Sequence, residues 1–294
     1  MLSKLLTFYE HYPSLLFQLK NVDPSSLSSN LLESLEFHGQ RQSEILSAAQ
    51  FYMLDEAAQS MLYNLAAKME EDGLEDMFSH VKLPFPAMLL TVPITPGPEG
   101  MRPLALITQD EDTLYTQVFF EGMDGFVPNL LIFKTQGTKA DVLLTPTYGL
   151  TQETGENIDL EALIEQEKPT CFRFLGMVVG MSVLFKHKAM LETEEVPLYP
   201  RAERRRAQKM GKPLPDTRVV KVSLGELGKR QAAAMLETKT DDNTEKRMRR
   251  AHWVQGHFMR NRGGGISWRN PHIRGAGPVI EQERHVSAGT EEFE

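Results

Sequence analysis

The sequence predicts an α+β protein with a helical N-terminal region, a central antiparallel β-sheet with packed helices, and a C-terminal basic β-hairpin module. Three observations carry this. Apolar residues recur at three- and four-residue spacing over 1–72, short β-rich runs separated by turn residues begin at Leu83, and 247–274 places Arg, His and Trp around a glycine turn.

Taken in order, Pro24-Ser25-Ser26 opens a helix with Leu27, Leu31, Leu32 and Leu35 on one face. The stretch 42–69 continues as helix through Ile45, Ala49, Tyr52, Met53, Leu54, Met61, Leu62 and Leu65. From Leu83 the runs FPAMLLTVPI, PLALI, LYTQVFF, NLLIFK and DVLLT read as about four or five antiparallel strands. Helix returns over 157–167 and 170–190, the latter lying against the sheet. With Pro197, Pro200, Pro213 and Pro215 around an arginine cluster, 192–216 reads as an extended arm. A short helix over 224–236, a polar loop over 237–245, the hairpin and a frayed end follow. The domain division is an acidic α+β body for recognition of a peptide or protein (1–191), a basic Pro-rich arm with a short helix (192–245), and a basic hairpin module with an acidic tail (246–294).

Charge follows the same division. Residues 1–200 hold 12 Lys or Arg against 28 Asp or Glu, whereas 201–274 hold 19 against 7, a net +12 inside a chain of net −8. Clustered cations attract polyanions such as RNA through counterion release, and arginine adds forked hydrogen bonds to phosphate. The single cysteine, Cys171, forms no intramolecular disulfide and sits in an apolar run; it reads as a buried thiol in a reducing compartment, the cytoplasm. The N-terminus is read as carrying no signal peptide, because Glu10, His11 and Pro13 interrupt its apolar residues and no small-residue cleavage site follows. The apolar run 171–184 carries Arg173 and falls short of the roughly 20 residues that a membrane span requires. It reads as a buried helix in which Gly176 and Gly180 let another element come close. No membrane partner and no cofactor are implied.

The hairpin is expected to run out from 251 to 260, turn at Arg262-Gly263-Gly264-Gly265 and return from 266 to 269. Its candidate nucleic-acid-binding residues are Arg249, Arg250, His252, Trp253, His257, Arg260, Arg262, Trp268, Arg269, His272 and Arg274. A base-stacking or partner-packing module explains Trp253, Phe258, Ile266 and Trp268, which a solvated tail does not. Three chemistries compete here. Metal binding by His252, His257 and His272 is weak, since 252 and 257 face opposite sides of a regular strand and no cysteine or acidic ligand lies near. In a metal-independent ribonuclease, two of these histidines act as base and acid while Arg260, Arg262 or Arg269 stabilises the phosphorane-like charge. Plain phosphate and base contact is the third and preferred reading. The glycine run is turn material, with no Gly-Lys-Ser/Thr behind it, and no nucleophile elbow occurs. His11, His38, His80 and His187 are isolated and read as structural or surface residues.

The segment RMRRAHWVQGHFMRN, the glycine turn and ISWRNPHIRG resemble the C-terminal pattern of a phage and plasmid protein family that includes a type V anti-CRISPR protein. The layout upstream is similar as well, from a helical region through a β-rich middle with Leu83-Pro84 at its entry to a buried helix and a basic arm. The resemblance implies recognition of an emerging nuclease peptide during translation and loss of the corresponding mRNA. It marks Arg249, Arg250, His252, Trp253, Gly256, His257, Arg260, Trp268, Arg269 and Pro271 as functional-module residues. The expected partners are RNA or the ribosome and a nascent polypeptide or protein target, in the cytoplasm of a host bacterial cell. A histidine-dependent endoribonuclease and a DNA-binding accessory protein, whose β-ribbon enters a major groove, are the alternatives.

Overall fold

The computed structural model describes residues 2–74, 78, 81–93, 102–122, 125–127, 129–136, 139–199, 201–211, 218–237 and 252–274. The N-terminal helices α1 (Leu2–Glu10), α2 (Tyr12–Lys20) and α3 (Ser29–Ala48) form as the apolar spacing predicts, with Ser28 capping α3 through a bond from the Leu31 N–H. The helix expected over 42–69 is broken. Ala49 turns extended, Gln50–Leu54 forms strand β1, and α4 (Glu56–Glu71) starts afresh behind Asp55, whose carboxylate accepts from the Ala58 N–H at 2.7 Å. The mixed spacing conceals two periods: Phe51 faces one apolar cluster, Tyr52 and Leu54 the other, as a strand buried on both faces requires.

Strands β2 (Ala87–Thr91), β3 (Arg102–Asp110), β4 (Thr113–Gly122), β5 (Gly125–Val127), β6 (Leu131–Gln136) and β7 (Lys139–Leu144) are joined by antiparallel pairings, in accord with the expected α+β class. The sheet as a whole is mixed, because β1 pairs parallel with β2 on one side and with β9 (Arg218–Leu224) on the other. Its order is β7-β6-β4-β3-β2-β1-β9 and then, at the edge, β8 (Leu191–Pro197), with β5 beside β4.

Of the stretch 192–216, the described residues 192–199 and 201–211 are not an extended arm, while 200 and 212–216 lie outside the described residues. Leu191–Pro197 is strand β8, paired antiparallel with β9 from Leu191↔Leu224 to Pro197↔Arg218, and Arg201–Lys209 is helix α7. Prolines suggested a linker, yet Pro197 lies at the end of an edge strand, where its missing N–H breaks no ladder. Exposed Glu192, Glu194 and Glu195 blunt that edge.

One face of the sheet is covered by α1–α3 together with α5 (Pro146–Glu153), and the other by α4 and α6 (Leu160–Leu184). Helix α6 is continuous through Pro169, joining the two helices expected there. Its residues from Phe174 to Leu184 are all buried. A Cβ on Gly176 would stand 2.9 Å from that of Ala66, so α4 and α6 touch nearly backbone to backbone. Cys171 is a buried free thiol whose pKa is raised by burial and by the neighbouring Glu167. Among the described residues no helix is long and apolar enough to cross a membrane.

Two half-buried titratable groups set opposite limits on stability. His38, packed on the Tyr12 ring at 5.4 Å, has its pKa lowered from 6.5 to about 4 by burial and by Arg41. Its neutral form fits the fold, so this contribution is whole above pH 6.5 and is lost as pH falls through 4, roughly 3 kcal/mol in all. Burial raises Glu167 from 4.5 to about 7, so its contribution is whole below pH 4.5 and is lost as pH rises through 7. Urea unfolding across this range should show a shallow optimum between the two limits. Glu167→Gln should abolish the loss on the neutral side and leave stability rising with pH through the His38 window, from about 4 to 6.5, where the two groups otherwise offset each other; an unaltered profile would rule out Glu167 as its source.

Candidate nucleic-acid interface

The C-terminal segment folds as two short antiparallel ladders in series. Strand β10 (His252–Val254) pairs with β13 (His272–Arg274), and β11 (His257–Arg260) pairs with β12 (Ile266–Arg269). The turn lies where the glycines place it. The Asn261 side-chain oxygen accepts from the N–H groups of Gly263 and Gly265 at 3.0 and 2.9 Å, and Gly264 takes a φ of +85°.

Between the ladders Gln255-Gly256 faces Asn270-Pro271, and Pro271 has no N–H to offer. The backbone of Gly256 is satisfied from outside the hairpin: its N–H donates to the Gln231 side-chain oxygen at 2.7 Å, and its carbonyl accepts from the Gln231 amide at 3.0 Å. Gln231 comes from α8 (Glu226–Glu237) and is fully buried. It replaces a neighbouring strand's peptide group. A third bond between α8 and this segment runs from the Gln255 side chain to the Ala234 carbonyl at 2.7 Å. Gly256 is required by contact, since a Cβ there would run into the Trp268 ring and lie 2.9 Å from Pro271.

Register divides the arms into two faces. Phe258 pairs with Trp268 and Arg260 with Ile266; His257 pairs with Arg269 and Met259 with Ser267. The first face is docked on the body. Phe258, Ile266 and Trp268 belong to the same apolar cluster as α4 and α6, the Phe258 and Trp268 rings meet edge-on at 4.9 Å, and a Cβ on Gly180 of α6 would touch Phe258 at 3.4 Å. Arg260 donates to the Gly73 carbonyl just past the end of α4 at 3.0 Å, placing positive charge where the helix dipole favours it.

The expected site residues therefore separate. Trp268 is only 7% exposed and presents no ring face for a base, which corrects its expected stacking role. Arg260 is exposed but tied to α4. His257 and Arg269 stand opposite each other on the outer face beside Met259, which is 41% exposed, with Arg262 exposed in the turn and Arg274 exposed at the far end. His257 Nδ1 lies 3.3 Å from the Gln255 carbonyl, and His272 Nδ1 lies 3.2 Å from that of Asn270. In register, His252 stands opposite Arg274 and Trp253 opposite Ile273. Arg249 and Arg250 lie outside the described residues. Among the described residues no group of three or more His, Cys, Asp or Glu gathers as a metal site. Gln231, Gln255 and Met259 have no counterpart in the expectation, and a lone glutamine in an alanine-rich helix gives no signal of its role.

No family model matches the chain, and neither a curated protein nor a solved structure matches it.

Because docking rests on these contacts, Gly256→Ala should destabilise by about 1–3 kcal/mol through overpacking. Gln231→Leu should cost roughly 2–5 kcal/mol, since two buried peptide groups lose their partners. Denaturant unfolding measures both, and a Gln231→Leu protein as stable as the wild type would show that the hairpin docks without it.

Proposed function

We propose that the outer face of the docked hairpin binds RNA through its phosphates, in a protein of a mobile genetic element that lowers expression of a target during its translation. One observation supports the binding reading above others: Phe258 and Trp268 of β11 and β12 turn inward, while Arg262 and Arg269 are exposed, with half-buried His257 on the same outer face as Arg269. A basic surface that shows no open Phe or Trp ring among the side chains described contacts the sugar-phosphate backbone and reads little sequence. Selectivity then has to come from elsewhere, and the acidic body, repelled by RNA, is free to recognise a protein or nascent peptide. Met259 adds a polarisable apolar contact amid the cations.

The ribonuclease alternative draws on the two histidines. In the neutral tautomer whose Nδ1 donates to the neighbouring backbone carbonyl, Nε2 is the nitrogen open to accept a proton. One preparation separates the two readings. For binding, the combined Arg262→Ala, Arg269→Ala and Arg274→Ala protein should lose affinity for single-stranded RNA, with the slope of log affinity against log salt shallower by about 2. An unchanged slope would move the interface off the hairpin. Labelled RNA should stay intact with the wild-type protein in EDTA, whereas cutting that His257→Ala or His272→Ala abolishes would establish the nuclease instead.

The translation-dependent part has its own check, made in cells. Expressing the protein should lower the target message only while that message's first codons are translated. If an early stop codon leaves the loss intact, recognition of a nascent chain is wrong and the RNA is targeted directly.

A further inference from the structure

On the face of the sheet opposite the hairpin, α2, α3 and the short turn at Pro24–Ser26 enclose an open groove of about 720 Å³. Pro13, Phe17 and Pro24 give it an apolar lining, Gly39 lies in its wall, and Glu10, Glu36 and Glu44 supply carboxylates. It runs on past Phe17 into a second hollow of about 540 Å³ that adds Val22 and Asp23. Among the described residues no Lys or Arg lines either hollow. A nucleic acid is repelled from such a groove; a cationic segment with some apolar surface is drawn to it.

Helix α7 has that chemistry and contributes nothing to the groove's lining. Arg204 and Ala207 are its half-buried positions, while Arg201, Arg205, Arg206 and Lys209 are exposed, and Met210 just beyond is 69% exposed. The spacings match. On α3, Glu36, Gln40 and Glu44 stand at i, i+4 and i+8; on α7, Arg201, Arg205 and Lys209 stand at the same intervals. Both rows span about 12 Å at 1.5 Å per residue. Laid antiparallel, they set Glu36 against Lys209, Gln40 against Arg205 and Glu44 against Arg201.

We infer that the groove between α2 and α3 receives α7 of a second copy of this chain. Three exposed polar pairings are weak by themselves, so binding also draws on burying Met210 against the groove's apolar lining. The contact joins two different patches. It closes as a two-fold dimer if each copy's α7 enters the other's groove, burying two such contacts at once. Nothing in it depends on what the hairpin binds.

Sedimentation equilibrium of the full chain tests this with reciprocal charge reversals. The wild type should associate reversibly at about 50 mM salt and dissociate as screening rises. The pair Glu36→Lys with Glu44→Lys, or the pair Arg201→Glu with Lys209→Glu, should each weaken association by roughly tenfold or more. All four side chains are exposed, so circular dichroism should show both proteins folded. An equimolar mixture of the two should recover association, because a reversed groove then meets a reversed helix. A wild type that stays monomeric at low salt, a reversal that leaves association unchanged, or a mixture that recovers nothing overturns the proposal. So does an Arg201→Glu, Lys209→Glu protein that loses RNA affinity while associating normally, which assigns α7 to the polyanion surface.

Discussion

Helix α6 has to be covered all round. Its second half is apolar on every side, and what lies on that face of the sheet is governed by how closely other elements approach it. The sheet covers one flank. Helix α4 covers another by bringing Ala66 against Gly176, and the hairpin closes part of the remainder with Phe258 beside Gly180. The hairpin is thus a component of the core cluster, and its aromatic content answers to burial before it answers to any ligand.

That requirement explains why the arms are chemically two-sided. A strand pair alternates faces at every residue, so sealing Phe258, Ile266 and Trp268 inward turns His257, Met259, Ser267 and Arg269 outward together. Arg260 is the exception on the inner face. It reaches past the apolar contact to the end of α4, joining the hairpin to a helix whose own last turn closes on Gly73. Charge available to a partner is accordingly smaller than the arginine count suggests, and more tightly positioned.

Much of this was legible in the residues themselves. The glycine turn, the two arms and the buried helix follow from φ requirements and apolar run length, which are local properties. The strand Gln50–Leu54 was not legible, since its alternation is embedded in helix-like spacing and only a sheet on both sides reveals it. Strand β8 was hidden by a proline whose effect depends on whether a strand is at an edge. Trp268 shows the limit most plainly. Residue type marks it as a large anchor, but whether it anchors a base or the core depends on the register of the strand and on what lies beneath. Gln231 was beyond reach for a related reason, because its partner is another segment's backbone 25 positions away.

The clasp of Gln231 on Gly256 makes the hairpin's alignment independent of its tip. In an ordinary hairpin the turn sets the register, and a residue added at the loop shifts every pairing behind it. Here the peptide group of Gly256 is read by a side chain from α8, and Trp268 fills the space that its missing Cβ leaves, so the frame is held at mid-length. The stretch from Asn261 to Gly265 beyond it can lengthen, shorten or change charge without disturbing the buried seam. Such an arrangement separates a buried mounting from an exposed head, which would let one scaffold be refitted to different partners by rewriting only a few exposed residues.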